Sequence, residues 1–121
     1  MNVTGIDHVQ VAAPRGCEEE ARAFYGGLLG LQELPKPEAL SARGGCWFRA
    51  GDQELHVGVE EPFAPARKAH PGLVVADLDA AAARLSGAGI EVTPDDSIPG
   101  ARRFYAADPF GNRLEFRERF G

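Results

Sequence analysis

The chain holds three histidines, His8, His56 and His70, each in a short stretch that alternates apolar and polar residues in the manner of a β-strand. Glu115, in the run RLEF, occupies a comparable place near the end of the chain. Imidazole nitrogen and carboxylate oxygen together suit a divalent cation, with Zn, Ni, Co, Mn and Fe(II) all compatible. Two imidazoles and one carboxylate also make the facial set that leaves coordination positions open for a substrate. Taken singly, a strand histidine is ordinarily a hydrogen-bonded, part-buried residue. Glu115, with Arg113, Arg117 and Arg119 close by, reads alone as a cross-strand ion-pair partner. The conjunction of donors is what points to a metal, and the expected metal set is His8, His56, His70 and Glu115. Gln10, Arg103, Tyr105 and Arg113 are expected to bind substrate, the arginines by a bidentate grip on a carboxylate or phosphonate. Trp47 or Phe48 offers an apolar wall, depending on strand register.

The elements that must position these residues occur twice. IDHVQVAAP alternates as a strand, and EEEARAFYGGLLG places Ala21, Phe24, Tyr25 and Leu28 at amphipathic helical spacing. Gly30 stops the helix and LQEL resumes an extended pattern. The second half repeats the order: HPGLVV is strand-like, Asp77 is a helix N-cap, Leu78, Ala81, Ala82 and Leu85 form the apolar stripe, and Gly89 precedes IEVT. Each half closes with two strands. These are GCWFRA and QELHVGVE around Gly51-Asp52, then RRFYAAD and NRLEFRE around Asp108 to Gly111.

The reading is an α+β fold of two βαβββ modules pairing into an open barrel-like sheet around a cavity. It makes one domain over 1–121, with module one at 1–60, a connector at 61–69 and module two at 70–121. Residues 35–44 read as an irregular loop. Strand neighbours point to opposite faces. If Val9, Val11, Leu73 and Val75 pack under the helices, His8, Gln10, His70 and Gly72 point into the cavity. By the same count Leu55, Val57, Leu114 and Phe116 face the helices, while His56, Arg113, Glu115 and Arg117 face inward.

With 121 residues, 44% hydrophobic and 26% charged, the chain has room for one globular unit and a core. A net charge of −5 is the wrong sign for a nucleic-acid or anionic-membrane binder. No apolar run reaches the roughly 18 to 20 residues of a membrane span, and MNVTGIDHVQ lacks the blocks of a signal peptide, so a cytoplasmic location is expected. Cys17 and Cys46 are expected to be reduced thiols.

IDHVQVAAP, ARAFYGGLLGL, HPGLVVADLDAAAARL and FYAADPFGNRLEF together resemble a small single-domain member of the vicinal oxygen chelate superfamily, the glyoxalase, bleomycin resistance and dioxygenase group. The final hairpin is the most specific match. The resemblance implies His8, His70 and Glu115 as ligands of a divalent ion that chelates neighbouring oxygens of a small substrate, with chemistry of the lyase, isomerase or thiol transferase type. His56 stands where glyoxalase I enzymes usually carry a glutamate and methylmalonyl-CoA epimerases a glutamine. Fosfomycin-resistance members are similar in placing a tyrosine ten residues before the ligand glutamate, as Tyr105 stands before Glu115. Glu115, or His56 if it is not a ligand, is the implied proton carrier. The alternative is a metal-free, bleomycin-resistance-like binding protein for a small molecule. A homodimer is implied in either case.

Overall fold

The computed structural model describes residues 1–119; positions 120 and 121, the end of the expected second module, lie outside the described residues. The chain divides into two compact units, Met1–Pro65 and Ala66 onward.

In the first unit, β1 (His8–Ala13) leads into one turn of α-helix, α1 (Glu18–Ala21), which continues over Arg22–Leu28 as a π-helix. The wide winding falls where Gly26 and Gly27 adjoin, and glycine gives the tighter α ladder its weakest support. Ala21, Phe24 and Tyr25 are nonetheless buried, as the helical spacing requires. β2 (Gln32–Leu34) follows, then β3 (Cys46–Ala50) and β4 (Gln53–Val59). Between β2 and β3, where an irregular loop was expected, Pro37 precedes a single helical turn, α2 (Glu38–Ser41). The sheet order is β1-β4-β3-β2, with β1 parallel to β4 and the other pairs antiparallel. Leu55, Val57 and Phe48 are each at most 1% exposed and form the core face with Tyr25, whose ring lies 5.8 Å from that of Phe48. Val11 is buried there, but Val9 is 38% exposed. β1 is an edge strand and the helix packs chiefly on β2 and β3, so the start of β1 lacks the expected cover.

The second unit has the same topology. β5 (Gly72–Val74), α3 (Leu78–Gly87), β6 (Thr93–Asp95), β7 (Arg103–Ala107) and β8 (Arg113–Arg117) give the sheet order β5-β8-β7-β6. Asp77 caps α3 by accepting a hydrogen bond from the Ala80 amide at 3.0 Å, and Gly89, at φ +83°, ends it. Leu78 and Leu85 are buried, and the Phe104 and Phe116 rings stack at 5.0 Å. β6 begins at Thr93, later than the expected IEVT. The Asp108–Asn112 turn is an internal hydrogen-bond network. Asp108 Oδ1 accepts from the Phe110 and Asn112 amides, Asn112 Nδ2 donates to Asp108 Oδ2, and Asn112 Oδ1 accepts from the Ala66 amide.

The α+β reading with two βαβββ copies is therefore what is observed, as two separate open sheets. Among the described residues no helix is long and apolar enough to cross a membrane.

Candidate functional site

The first unit holds three of the eight expected site residues, His8, Gln10 and His56, and the second holds His70, Arg103, Tyr105, Arg113 and Glu115. In the first, β4 lies between β1 and β3, and register sets Gln10 and Trp47 on either side of His56. The Trp47 and His56 rings stack at 4.1 Å with planes 4° apart, and His8 stacks on His56 at 4.2 Å. The choice left open between Trp47 and Phe48 is thereby settled: Trp47 shares the histidine face and Phe48 lies in the core. Gln10 folds down over Gly58, where a Cβ would stand 2.5 Å from Gln10 Nε2.

Proton positions follow from the partners. Asp7 Oδ2 lies 2.9 Å from His8 Nδ1, and a carboxylate only accepts, so Nδ1 carries the hydrogen and Nε2 keeps its lone pair. His56 is 5% exposed and gives its Nε2 hydrogen to Glu54 Oε1 at 2.9 Å. Its outer nitrogen is thus already engaged. Glu54 and Asp7 were missed in the sequence, although strand parity puts Glu54, two positions before His56, on the same face.

In the second unit Glu115, 6% exposed, is the centre. It pairs in register with Tyr105 on one side and Gly72 on the other. Arg103 Nη1 donates to Glu115 Oε1 at 3.1 Å and to the Tyr105 hydroxyl at 2.9 Å, and Arg117 Nη1 lies 3.7 Å from Glu115 Oε2. Arg103 Nη2 reaches Ser97 Oγ at 3.1 Å and Asp95 at 3.5 Å. Hydrogen bonds from Ser97, and then the Arg103 charge, hold the Asp95 carboxyl below its ordinary range. Arg103 Nε is buried without a hydrogen-bond partner. The Arg113 guanidinium lies 3.7 Å from the Tyr105 ring centre, a cation–π contact. Asp95 and Ser97 were not foreseen, because only the β6–β7 register, Asp95 opposite Arg103, brings them in.

His70 corrects one expectation. It does not lie on a strand: Pro71 has no amide hydrogen to enter the ladder, so β5 starts at Gly72. The ring still reaches Glu115. His70 Nδ1 donates to the Lys68 carbonyl at 2.8 Å, which leaves Nε2 facing Glu115 Oε1 at 3.0 Å. A carbonyl cannot donate, so Nε2 turns either a lone pair or a second hydrogen toward a carboxylate. The pair is favourable only with a cation between the two atoms, either a proton or a metal ion. Two ligand atoms each ~2.1 Å from one ion, at right angles, stand ~3 Å apart. A metal-binding histidine usually donates its other ring N–H to a carbonyl or carboxylate, as His70 Nδ1 does to Lys68. The donor chemistry therefore fits a divalent ion. Among the described residues, no three His, Cys, Asp or Glu side chains form a cluster able to hold one.

Residues 5–116 match the model of the Glyoxalase/Bleomycin resistance protein/Dioxygenase superfamily. A glyoxalase family protein from Bacillus anthracis is 57% identical, with 99% of this chain and 98% of that chain covered and a TM-score of 0.95. A lactoylglutathione lyase from Agrobacterium tumefaciens is 22% identical over 98% of this chain and 96% of that one, with a TM-score of 0.75. A fosfomycin resistance protein from Listeria monocytogenes is 13% identical over 98% and 96%, with a TM-score of 0.78. These last two share the fold. No curated protein matches the chain.

Proposed function

The chain belongs to the glyoxalase, bleomycin resistance protein and dioxygenase superfamily, and on that premise we propose that it is a metal-dependent enzyme acting on a small oxygenated substrate, of the lyase, isomerase or thiol transferase type. The observation that carries this reading is the His70–Glu115 pair: a tautomer fixed by the Lys68 carbonyl leaves Nε2 3.0 Å from a buried carboxylate oxygen. His70, Glu115 and His8, whose Nε2 is kept free by Asp7, are the proposed ligands. When bound, the ion supplies Lewis-acid polarisation of neighbouring substrate oxygens.

The remaining roles belong to the chain's own groups. His56 is the proposed proton carrier rather than a fourth ligand, because its Nε2 hydrogen is committed to Glu54. Arg113 and Arg103 grip an anionic group of the substrate, Tyr105 holds both guanidiniums in place, and Gln10 contributes an amide. A homodimer is part of the proposal. Val3 and Ile6, 77% and 69% exposed, run into the open edge at Val9 and present apolar surface that a second copy can cover.

The test is elemental analysis of untagged protein beside its His70→Ala variant. The proposal expects near-stoichiometric divalent metal in the first and its loss in the second. Protein that stays metal-free after refilling with Ni, Co, Mn, Zn and Fe(II) would make the chain a small-molecule binding module, with His70 and Glu115 joined as a plain ion pair.

A further inference from the structure

A cavity of about 420 Å³ lies within the first unit, bordered by the start of α1, the chain around α2 and the end of β4. None of the proposed site residues lines it. Four of the chain's thirteen Lys and Arg side chains do: Arg15, Arg22, Lys36 and Arg43. In a chain of net charge −5 that is a local reversal of sign.

The state of these cations points to an occupant. Arg15 pairs with Glu61 and Arg22 with Glu33, but all four side chains are between 39% and 72% exposed. Such pairs contribute little and exchange readily for a better partner. Lys36 donates to the Gly44 carbonyl, and neither Lys36 nor Arg43 has a carboxylate partner among the described residues. Of the cavity's two carboxylates, Glu33 is the partner of Arg22, and Glu18 is spent internally, accepting from the Gly45 amide at 2.6 Å and from the Cys17 thiol. Two cations without a carboxylate, and two more held only by exposed pairs, line a space within the ~300 to 1,000 Å³ range of small-molecule sites.

We propose that this cavity binds a small dianionic oxyanion, a phosphate monoester, between Lys36 and Arg43 with Arg22 as the third contact. A guanidinium fork and an ammonium point charge are the two side-chain geometries that suit phosphate oxygens. A dianion also gains from both Lys36 and Arg43, whereas a monocarboxylate satisfies one. The site is independent of the proposed metal chemistry.

The test uses glycerol 3-phosphate as probe, titrated at constant ionic strength into protein held in chelator. Binding is followed by the backbone amide resonances of Gly16, Gly44 and Gly45, with glycerol and acetate as controls. The expected result is saturable shifts at these amides with glycerol 3-phosphate alone, and at least tenfold weaker binding in the Lys36→Gln, Arg43→Gln double variant. Arg43 is exposed, so Arg43→Gln alone keeps the fold and should weaken binding severalfold. Shifts that are absent, equal with acetate, unchanged in these variants, or centred on the His8 and His56 face overturn the proposal.

Discussion

Replacing Glu115 by Gln keeps the side chain's size and removes its charge. The carboxylate is 6% exposed and accepts from Arg103 at 3.1 Å, with His70 Nε2 at 3.0 Å. A hydrogen bond to a charged group contributes ~1.5–3 kcal/mol, and breaking a wholly buried pair costs ~3–5 kcal/mol. Arg103 keeps Asp95 at 3.5 Å and Ser97 at 3.1 Å as partial compensation, which favours the lower range, about 2 kcal/mol. With a urea m-value of roughly 1–2 kcal/mol/M, the midpoint of the metal-free protein should fall by about 1–2 M. Circular dichroism in urea, with chelator present, measures this. Arg103→Met and the double variant complete a cycle whose coupling should be ~1 kcal/mol or more. A coupling within ~0.3 kcal/mol of zero would refute the claim that Arg103 and Glu115 hold one another. A second arm addresses the metal. At ~100 times its dissociation constant an ion stabilises the native state by ~2.7 kcal/mol, and only the wild type should show that gain.

Trp47 is the chain's one tryptophan and lies flat on His56, so His56→Leu should brighten its emission, and divalent metal at His8 should alter it in the wild type alone; indifference to both changes would contradict the three-ring stack. Burial pushes the Cys17 thiol up to about 11, with the Glu18 charge adding to it, and raises Cys46 as well. Unfolded thiols ionise near 9, so native stability should be full below that pH and decline as pH rises from 9 toward 11. At pH 8 a thiol reagent should label native protein far more slowly than urea-unfolded protein, and equal rates would refute the burial. Gly45 has φ +91°, and a Cβ there would stand 2.1 Å from the Val57 carbonyl oxygen. Gly45→Ala should therefore cost ~4 kcal/mol or more, or prevent folding, as urea midpoints would record; a loss under ~1 kcal/mol would deny the close approach.

The fold was legible because its signals are local. Alternation over QELHVGV and RLEFR, the Asp77 cap and the Asp108–Gly111 turn each act within a few residues, and each stands where the pattern put it. The π winding of Arg22–Leu28 was not legible, since an apolar stripe at 21, 24, 25 and 28 is equally satisfied by an α-helix. Parity also placed His56 and Glu115 on the right faces. What it could not supply was the identity of hydrogen-bond partners, which depends on register and rotamer. Asp95 meets Arg103 through a β6 that starts three residues later than the apolar run IEVT suggests, and Glu54 competes with any ion for His56 from its own strand.

The two copies share a scaffold and carry opposite charge patterns on it. Trp47 stands across from His56 as Tyr105 stands across from Glu115, and the residue two positions earlier on the last strand is Glu54 in one copy and Arg113 in the other. An imidazole with a carboxylate on its own strand makes a hydrogen-bonded pair and surrenders its outer nitrogen. A carboxylate with an arginine at that related position has no such partner on its own strand to its N-terminal side, and it turns instead to the histidine that precedes β5. The same β-hairpin thus yields an imidazole satisfied from its own strand in the first unit and, in the second, a carboxylate met by Arg103 and His70. That asymmetry is why His56 is the proposed base: exchanging the charges at 54 and 113 should release His56 Nε2 and leave the contact of His70 Nδ1 with the Lys68 carbonyl unchanged.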